Sequence, residues 1–167
     1  MPALCCTKKL LVEVGASRAP ALARHEDDWH ANLIRIGSRK FVIFCSTNTL
    51  YTCLTPPCTR AQLRSLHAVF MDALAATLLA DGFSRTSIDH CLESHRDMAI
   101  GKTNDRSVLG TMTENVLTFR YFMDREGGPD ACAPTELAAR LNDMPQVKRD
   151  FFNARTAFQR RFIRGVP

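Results

Sequence analysis

Residues 29–45, WHANLIRIGSRKFVIFC, decide the fold because they carry the clearest strand pattern in the chain. Apolar residues alternate roughly through 29–36, the dipeptide Gly37-Ser38 is a turn signal, and 40–45 is an apolar run. A third apolar stretch, 50–54, follows a polar turn. Strand patterns separated by turn residues are typical of neighbouring antiparallel strands. The sequence therefore predicts a small antiparallel β-meander.

Helical patterns surround this meander. Before it, residues 3–6 are a candidate strand, and Thr7 stands where the cap of a helix over 8–14 would lie. After it, the capping-box sequence at 59–62 opens an amphipathic stretch that Gly82 ends. The other predicted elements are helix 86–95, strand 97–102, a long helix starting near 108, helix 135–141 and a basic helix over 153–164. The mixture predicts a single α+β domain over 1–167, with several helices packed on the meander and a basic C-terminal helix within 146–167.

Composition and charge narrow the class of protein. Of 167 residues, 46% are hydrophobic and 23% are charged, which is ordinary for a globular domain and excludes a disordered chain. No apolar run approaches the roughly 18 residues that cross a bilayer, so we expect no membrane partner. The formal net charge is +5, and residues 140–167 hold seven basic residues against two acidic ones. The whole excess of positive charge therefore lies in the C-terminal tail.

The basic tail has two interpretations. Its phenylalanines interleave with arginines, a pattern that favours single-stranded nucleic acid through stacking and charge. The alternative is an amphipathic helix that docks its phenylalanines on the core and leaves its charges in solvent. The candidate nucleic-acid contacts are Arg155, Arg160, Arg161 and Arg164.

The cysteines and histidines indicate the cellular compartment and whether the chain binds a metal ion. The seven cysteines include no Cys-x-x-Cys pair, and the N-terminal residues lack the apolar run of a secretory signal. We therefore expect reduced thiols and a cytoplasmic location. The five histidines form no ligand motif, and Cys53 and Cys58 have no second pair at zinc spacing. Neither a metal ion nor an organic cofactor is expected.

The densest polar cluster is GKTNDRS at 101–107, between a predicted strand and a predicted helix. Because a helix N-terminus presents unpaired N–H groups and favours anions, the cluster predicts an anion or ligand site. Its candidate residues are Lys102, Thr103, Asn104, Asp105, Arg106 and Ser107. The competing interpretation is that Thr103 or Asn104 simply caps the helix. A Walker A loop is excluded, because that loop needs a glycine where this chain has Arg96.

A second polar cluster precedes and enters the strand at 29–36. Alternation places Asp28, His30 and Asn32 on one face if the strand begins by residue 28. Such a trio is compatible with metal binding or acid–base chemistry, and equally with a hydrogen-bonded strand edge. His30 and Asn32 are counted among the candidate ligand-binding residues, and no residue is assigned as catalytic.

Several segments of the chain resemble a known family. They are CTKKLL at 6–11, DWHANLIRI at 28–36 with RKFVIF at 39–44, and KTNDRSVLGTM at 102–112. Similar motifs occur in a family of short bacterial intracellular proteins that is described only as a domain of unknown function. The resemblance covers about residues 5–145, and its last motif is the most specific. It implies a single intracellular domain and carries no activity or catalytic residue with it.

Three functional hypotheses follow from these patterns. The first is a non-enzymatic binding or regulatory module whose partner is an anionic ligand or a nucleic acid. The second is a hydrolase- or transferase-type enzyme in which His30 or Asp28 acts as base and Lys102 with Arg106 stabilises negative charge. The third is a structural or protein-interaction domain, for example a homodimer formed through an open sheet edge.

Overall fold

The computed structural model describes residues 1–146 and 151–163. In chain order, the elements are β1 (Ala3–Cys6), α1 (Lys8–Glu13), β2 (Trp29–Ile36), β3 (Arg39–Ser46), β4 (Thr52–Leu54), α2 (Arg60–Leu63), α3 (Leu66–Ala80), α4 (Arg85–Ser94), β5 (Ala99–Lys102), α5 (Arg106–Arg125), α6 (Pro134–Asn142), β6 (Pro145–Gln146), β7 (Phe151–Asn153), α7 (Ala154–Phe158) and a π-helical turn (Gln159–Ile163). The structure therefore confirms the predicted α+β fold.

Five strands form one sheet in the order β4-β3-β2-β1-β5. β2 and β3 are a hairpin in which Trp29 is opposite Ser46 at one end and Ile36 is opposite Arg39 at the other. β4 pairs antiparallel with β3. The predicted meander is therefore confirmed over β2, β3 and β4.

The prediction of an antiparallel sheet is wrong for β1 and β5. β1 lies between β2 and β5 and runs parallel to both. Parallel neighbours are joined by crossovers rather than by tight turns, so local turn signals do not reveal them. All four residues of β1 are buried, as expected of a central strand.

The sheet separates two hydrophobic clusters. On one face, sheet residues such as Leu4 and Phe44 pack with Leu10 and Leu11 of α1 and with side chains of α3 and α4. On the other face, sheet residues such as Ile43 pack with buried side chains of α5 and α6. Successive strand residues point to opposite faces, which explains why β2 and β3 contribute to both clusters. Helices α1 and α5 therefore lie on opposite faces of the sheet.

Both edges of the sheet are covered. At the β4 edge, the buried Asn142 of α6 accepts a hydrogen bond from the Thr52 N–H and donates one to the Thr52 carbonyl, each at 2.8 Å. At the β5 edge, the Lys102 N–H donates to the Pro20 carbonyl at 2.9 Å, and Ala21 forms a bridge with Lys102. A homodimer formed through a sheet edge stays a prediction.

The C-terminal segment packs on the core. Phe158 is fully buried and stacks on Tyr51 with ring centroids 4.4 Å apart. Phe162 lies 4.7 Å from Phe158, so the phenylalanines dock as an amphipathic helix predicts. The helix predicted over 153–164 is α7 followed by the π-helical turn. Position 164 lies outside the described residues.

Two local features differ from the sequence prediction. The helix predicted from 59 to 82 is interrupted between α2 and α3, where Ser65 has a non-helical backbone (φ −104°, ψ 51°). The small ribbon of β6 and β7 was not predicted, because two- and three-residue strands carry no periodicity.

Candidate functional site

The carboxyl ends of β1 and β5 meet at one place on the sheet. The two strands are adjacent and parallel, with Cys6 opposite Lys102. The chain leaves β1 toward α1 on one face and leaves β5 toward α5 on the other. When neighbouring parallel strands send their helices to opposite faces, a crevice opens outside their carboxyl ends, and ligands of open α/β sheets bind there.

A cavity of about 390 Å³ occupies this crevice. Its lining residues are Cys6, Lys8, Leu11, Ser17, Lys102 and Thr103. This set, which we call the crevice cavity, has two ammonium groups and two hydroxyls and contains no carboxylate. Its charge and donors suit an anion.

His30 is hydrogen-bonded to Thr103, a residue of the crevice lining. Its Nδ1 lies 2.8 Å from Thr103 Oγ1, and the two atoms share a hydrogen bond. The Thr103 N–H also donates to the Cys6 carbonyl at 3.1 Å, which fixes Thr103 beside the end of β1. His30 is only 1% exposed, and burial lowers its pKa below the usual value despite the nearby Asp105 and Asp28. At neutral pH the imidazole is therefore uncharged.

A second polar cavity, of about 260 Å³, lies on the other side of His30. It includes Arg24 and His25 but also the carboxylates of Glu26, Asp28 and Asp105. Three acidic side chains make it a poor site for an anion. The predicted cluster 102–107 is thus divided: Lys102 and Thr103 line the crevice cavity, whereas Asn104 and Asp105 line this second one.

The N-terminus of α5 is occupied by its own side chain. Asp105 is the capping residue, rather than Thr103 or Asn104, and its Oδ1 accepts from the Ser107 N–H at 2.9 Å and the Val108 N–H at 3.1 Å. Desolvation acts to raise the pKa of Asp105, but these N–H groups and Arg24 outweigh it and the pKa is lowered. An ionised carboxylate thus lies where a bound anion would have to lie. Arg106 and Ser107 are exposed beyond it.

Asp28 and Asn32 hold the backbone and the neighbouring strand. Asp28 is 2% exposed, and its two oxygens accept hydrogen bonds from the Ala3 and His25 N–H groups, each at 2.8 Å. Asn32 Oδ1 accepts from the Thr7 hydroxyl at 2.8 Å. With Asp28 engaged in this way, and with His30 and Lys102 lining different cavities, the set of Asp28, His30, Lys102 and Arg106 does not surround one substrate cavity.

The tail arginines are largely paired with acidic residues. Arg155 contacts Asp143 at 2.5 Å, and Arg161 contacts Asp27 at 2.6 Å and Glu26 at 2.9 Å. Arg160 is exposed. A nucleic-acid role for Arg155, Arg160, Arg161 and Arg164 stays a prediction, with Arg164 outside the described residues.

Sequence reasoning missed Lys8 and Ser17 of the crevice cavity. Lys8 begins α1, two residues after the end of β1, and Thr103 is the first residue after β5, so the ends of the two strands bring these residues together. The sequence contains the apolar stretch 3–6 with Thr7 and Lys8 after it, but this pattern indicates a shared site only if the two strands are parallel neighbours.

Three further observations concern cysteines, metals and membranes. None of the seven cysteines, all of which lie in the described part of the chain, forms a disulfide bond. Within residues 1–146 and 151–163, no three His, Cys, Asp or Glu side chains gather as metal ligands. In the same part of the chain, no helix combines the length and apolarity needed to cross a bilayer.

Comparison with known proteins places the chain in a family. No curated protein and no solved structure matches it. One family model matches residues 3–157, which is nearly the whole chain and includes all the segments that carry the resemblance stated above. The chain therefore belongs to the family described as a domain of unknown function (DUF6933).

Proposed function

We propose that this protein is a binding module that holds a small anionic ligand, a phosphate or carboxylate group, in the crevice cavity. One observation carries the proposal: Lys102, the last residue of β5, and Lys8, two residues beyond the end of the adjacent parallel strand β1, line one crevice that has no carboxylate in its lining. Anionic groups of ligands are held in this way at helix and strand ends of open sheets.

Each polar group of the cavity has a defined role in the proposal. The ammonium groups of Lys8 and Lys102 supply charge-assisted hydrogen bonds, and the hydroxyl of Ser17 supplies a neutral donor. The Thr103 hydroxyl is a further donor in the tautomer whose His30 Nδ1–H donates to Thr103 Oγ1. His30 holds Thr103 in position through the 2.8 Å hydrogen bond. Burial raises the pKa of Cys6 to about 12, so its thiol stays protonated and offers no nucleophile to the ligand.

Calorimetric titration with inorganic phosphate and pyrophosphate tests this function. Lys8→Gln and Lys102→Gln are each expected to weaken binding about tenfold, because a lost charge-assisted hydrogen bond costs about 1.5 kcal/mol. Arg106→Gln is the matched control, since Arg106 is exposed at the start of α5 and lies outside the crevice lining. The proposal fails if neither anion binds, or if Arg106→Gln weakens binding while Lys8→Gln does not.

A second candidate function is a hydrolase- or transferase-type enzyme. The hydrogen bond between the uncharged imidazole of His30 and the Thr103 hydroxyl favours it, because a neutral histidine can accept a proton from a hydroxyl. Asp28 and Arg106 take no part in this version. Turnover of p-nitrophenyl acetate and p-nitrophenyl phosphate, abolished by His30→Gln, would support the enzyme. Absence of turnover by the wild-type chain would remove it.

A further inference from the structure

A second concave, positively charged surface adjoins the crevice cavity. It is a groove of about 580 Å³ between α1, β2 and α5, lined by Lys8, Lys9, Val12, Glu13, Leu33, Arg35 and Arg120. We call it the basic groove. Lys8 lines both the basic groove and the crevice cavity, so the two concavities meet at the start of α1.

The single acidic side chain of the basic groove is already neutralised. One carboxylate oxygen of Glu13 accepts from Arg35 at 2.6 Å and the other from Lys40 at 2.9 Å. The hydrogen bond from Lys40 is the main cause that holds the pKa of Glu13 below its usual value. Among the described residues, no carboxylate is paired with Lys8, Lys9 or Arg120. The groove and the crevice together therefore present a net positive surface.

The cations of the groove are held on regular secondary structure. Lys8 and Lys9 belong to α1, Arg35 to β2 and Arg120 to α5. The Arg120 guanidinium donates to the Arg35 carbonyl at 3.0 Å, which joins the α5 and β2 sides of the groove. In the basic tail, Arg155 and Arg161 are paired with acidic side chains, as Arg35 is in the groove. Lys8, Lys9 and Arg120 are therefore the groove cations that remain available to an anion.

We propose that the basic groove and the crevice cavity together bind the sugar–phosphate backbone of a single-stranded nucleic acid. This inference rests on the proposed function, with one phosphate in the crevice between Lys8 and Lys102. The neighbouring phosphates then lie along Lys9 and Arg120, with Arg35 beside them in its ion pair with Glu13. Four cations without a carboxylate partner among the described residues can each contact a phosphate of such a backbone, namely Lys8, Lys9, Lys102 and Arg120.

The lining favours a nucleic acid over an acidic protein. A protein interface has an apolar or aromatic centre, whereas the groove lining contains no aromatic residue and only Val12 as an exposed apolar side chain. A flexible single strand can bend one phosphate into the crevice cavity while its neighbours follow the groove, whereas duplex DNA is stiff over about 150 base pairs. Without aromatic or amide side chains in the groove, contacts are to phosphates, and recognition is independent of base sequence.

Fluorescence anisotropy with a labelled twelve-nucleotide oligothymidylate at two salt concentrations tests the inference. With four phosphate contacts, affinity is expected to fall about fiftyfold between about 50 and 200 mM salt, since single strands give a slope of about −0.7 per contact. The variant Lys9→Gln/Arg120→Gln is expected to lower the steepness of that slope by about 1.4 and to weaken binding at low salt at least about tenfold.

The matched control is Arg64→Gln/Arg85→Gln, which removes two exposed arginines outside both concavities. Equal loss of affinity in this control, or a comparable loss in Arg160→Gln on the tail, overturns the assignment to the groove. A duplex of the same length that binds as tightly, or polyglutamate that competes as well as the oligonucleotide, overturns the assignment to a single strand.

The result also separates this inference from the proposed function. Lys9→Gln/Arg120→Gln changes two residues of the basic groove and no residue of the crevice lining. The binding of inorganic phosphate by this variant, measured by calorimetry, is therefore expected to stay within about twofold of wild type. Phosphate binding without oligonucleotide binding overturns the groove and leaves the small-anion function standing. Oligonucleotide binding that depends on Lys9 and Arg120, with no binding of phosphate, supports the groove and overturns the small-anion function.

Discussion

His30 Nδ1 and Thr103 Oγ1, which are 73 residues apart in the chain, share a 2.8 Å hydrogen bond that connects β2 to the residue after β5. β1 lies between these two strands, so the bond spans the parallel part of the sheet. Thr103 lines the crevice cavity and His30 lines the acidic cavity, so the bond joins one residue of each lining. The position of Thr103, and with it the shape of the candidate site, depends on this contact.

Loss of this hydrogen bond is expected to affect both stability and binding. Thr103→Val keeps the shape of the side chain but leaves the buried imidazole without its partner, at a cost of about 1–3 kcal/mol. Urea denaturation measures the free energy of unfolding, and phosphate titration measures a loss of affinity. Thr113→Val on the exposed side of α5 is the control and is expected to change the free energy of unfolding by under about 0.5 kcal/mol. Equal effects of the two variants would contradict a supporting role for Thr103.

Stability is expected to fall below about pH 6.5. Burial lowers the pKa of both His30 and His95 in the folded chain, so the unfolded chain binds protons first as the pH decreases. Each histidine then destabilises the fold by up to about 1.4 kcal/mol per pH unit until its folded pKa is reached. The midpoint of urea denaturation, measured between about pH 7.5 and 5.5, checks this expectation. Carboxylates whose pKa is lowered in the folded chain, such as Asp105, affect stability only at lower pH. A midpoint that is constant or rises on acidification would be inconsistent with two buried neutral histidines.

Gly101 is required by the loop that covers the β5 edge. A Cβ at this position would lie 2.7 Å from side-chain atoms of Leu22 and 3.1 Å from the Pro20 carbonyl oxygen. Gly101→Ala is therefore expected to destabilise the fold by about 1–3 kcal/mol and to weaken the hydrogen bond of the Lys102 N–H to Pro20. Gly110→Ala is the matched substitution, since α5 leaves open space there and alanine favours a helix by about 0.5–1 kcal/mol. Thermal unfolding of both variants, with opposite signs expected, is the measurement.

Asn142 is expected to stabilise the β4 edge. Its side chain satisfies both backbone groups of Thr52, and it is fully buried. Asn142→Ala leaves these two buried groups unpaired, at about 1–3 kcal/mol for each, while α6 still packs on β4. Urea denaturation is expected to show this loss in the free energy of unfolding. A free energy of unfolding that stays at the wild-type value would contradict this role of Asn142.

The sequence predicts some parts of this fold much better than others. β2 and β3 follow from alternation around Gly37-Ser38, because a hairpin is specified by adjacent residues. The parallel pairing of β1 with β5 joins residues almost a hundred positions apart, and no local signal encodes it. The same limit applies to the site: Lys102 and Thr103 were identified from their own stretch, whereas Lys8 and Ser17 reach the crevice only through that pairing.

Charge position illustrates a second limit of sequence reasoning. The tail holds the excess of basic residues, but two of its arginines form ion pairs in the fold. Arg161 pairs with Glu26 and Asp27, and Arg155 pairs with Asp143. The basic groove collects Lys8, Lys9, Arg35 and Arg120 from three distant segments, none of which is a charge run. Local charge counts therefore could not indicate this groove.

Amide chemical-shift mapping with inorganic phosphate tests the central claim most directly, because it reports the place of binding as well as its strength. The account predicts saturable shifts of the backbone amides of Lys8, Lys9 and Thr103 around the crevice cavity, with small changes at Ser107 and Val108, whose N–H groups are engaged by Asp105. Shifts centred on Ser107 and Val108, or an unchanged spectrum at millimolar phosphate, would contradict it.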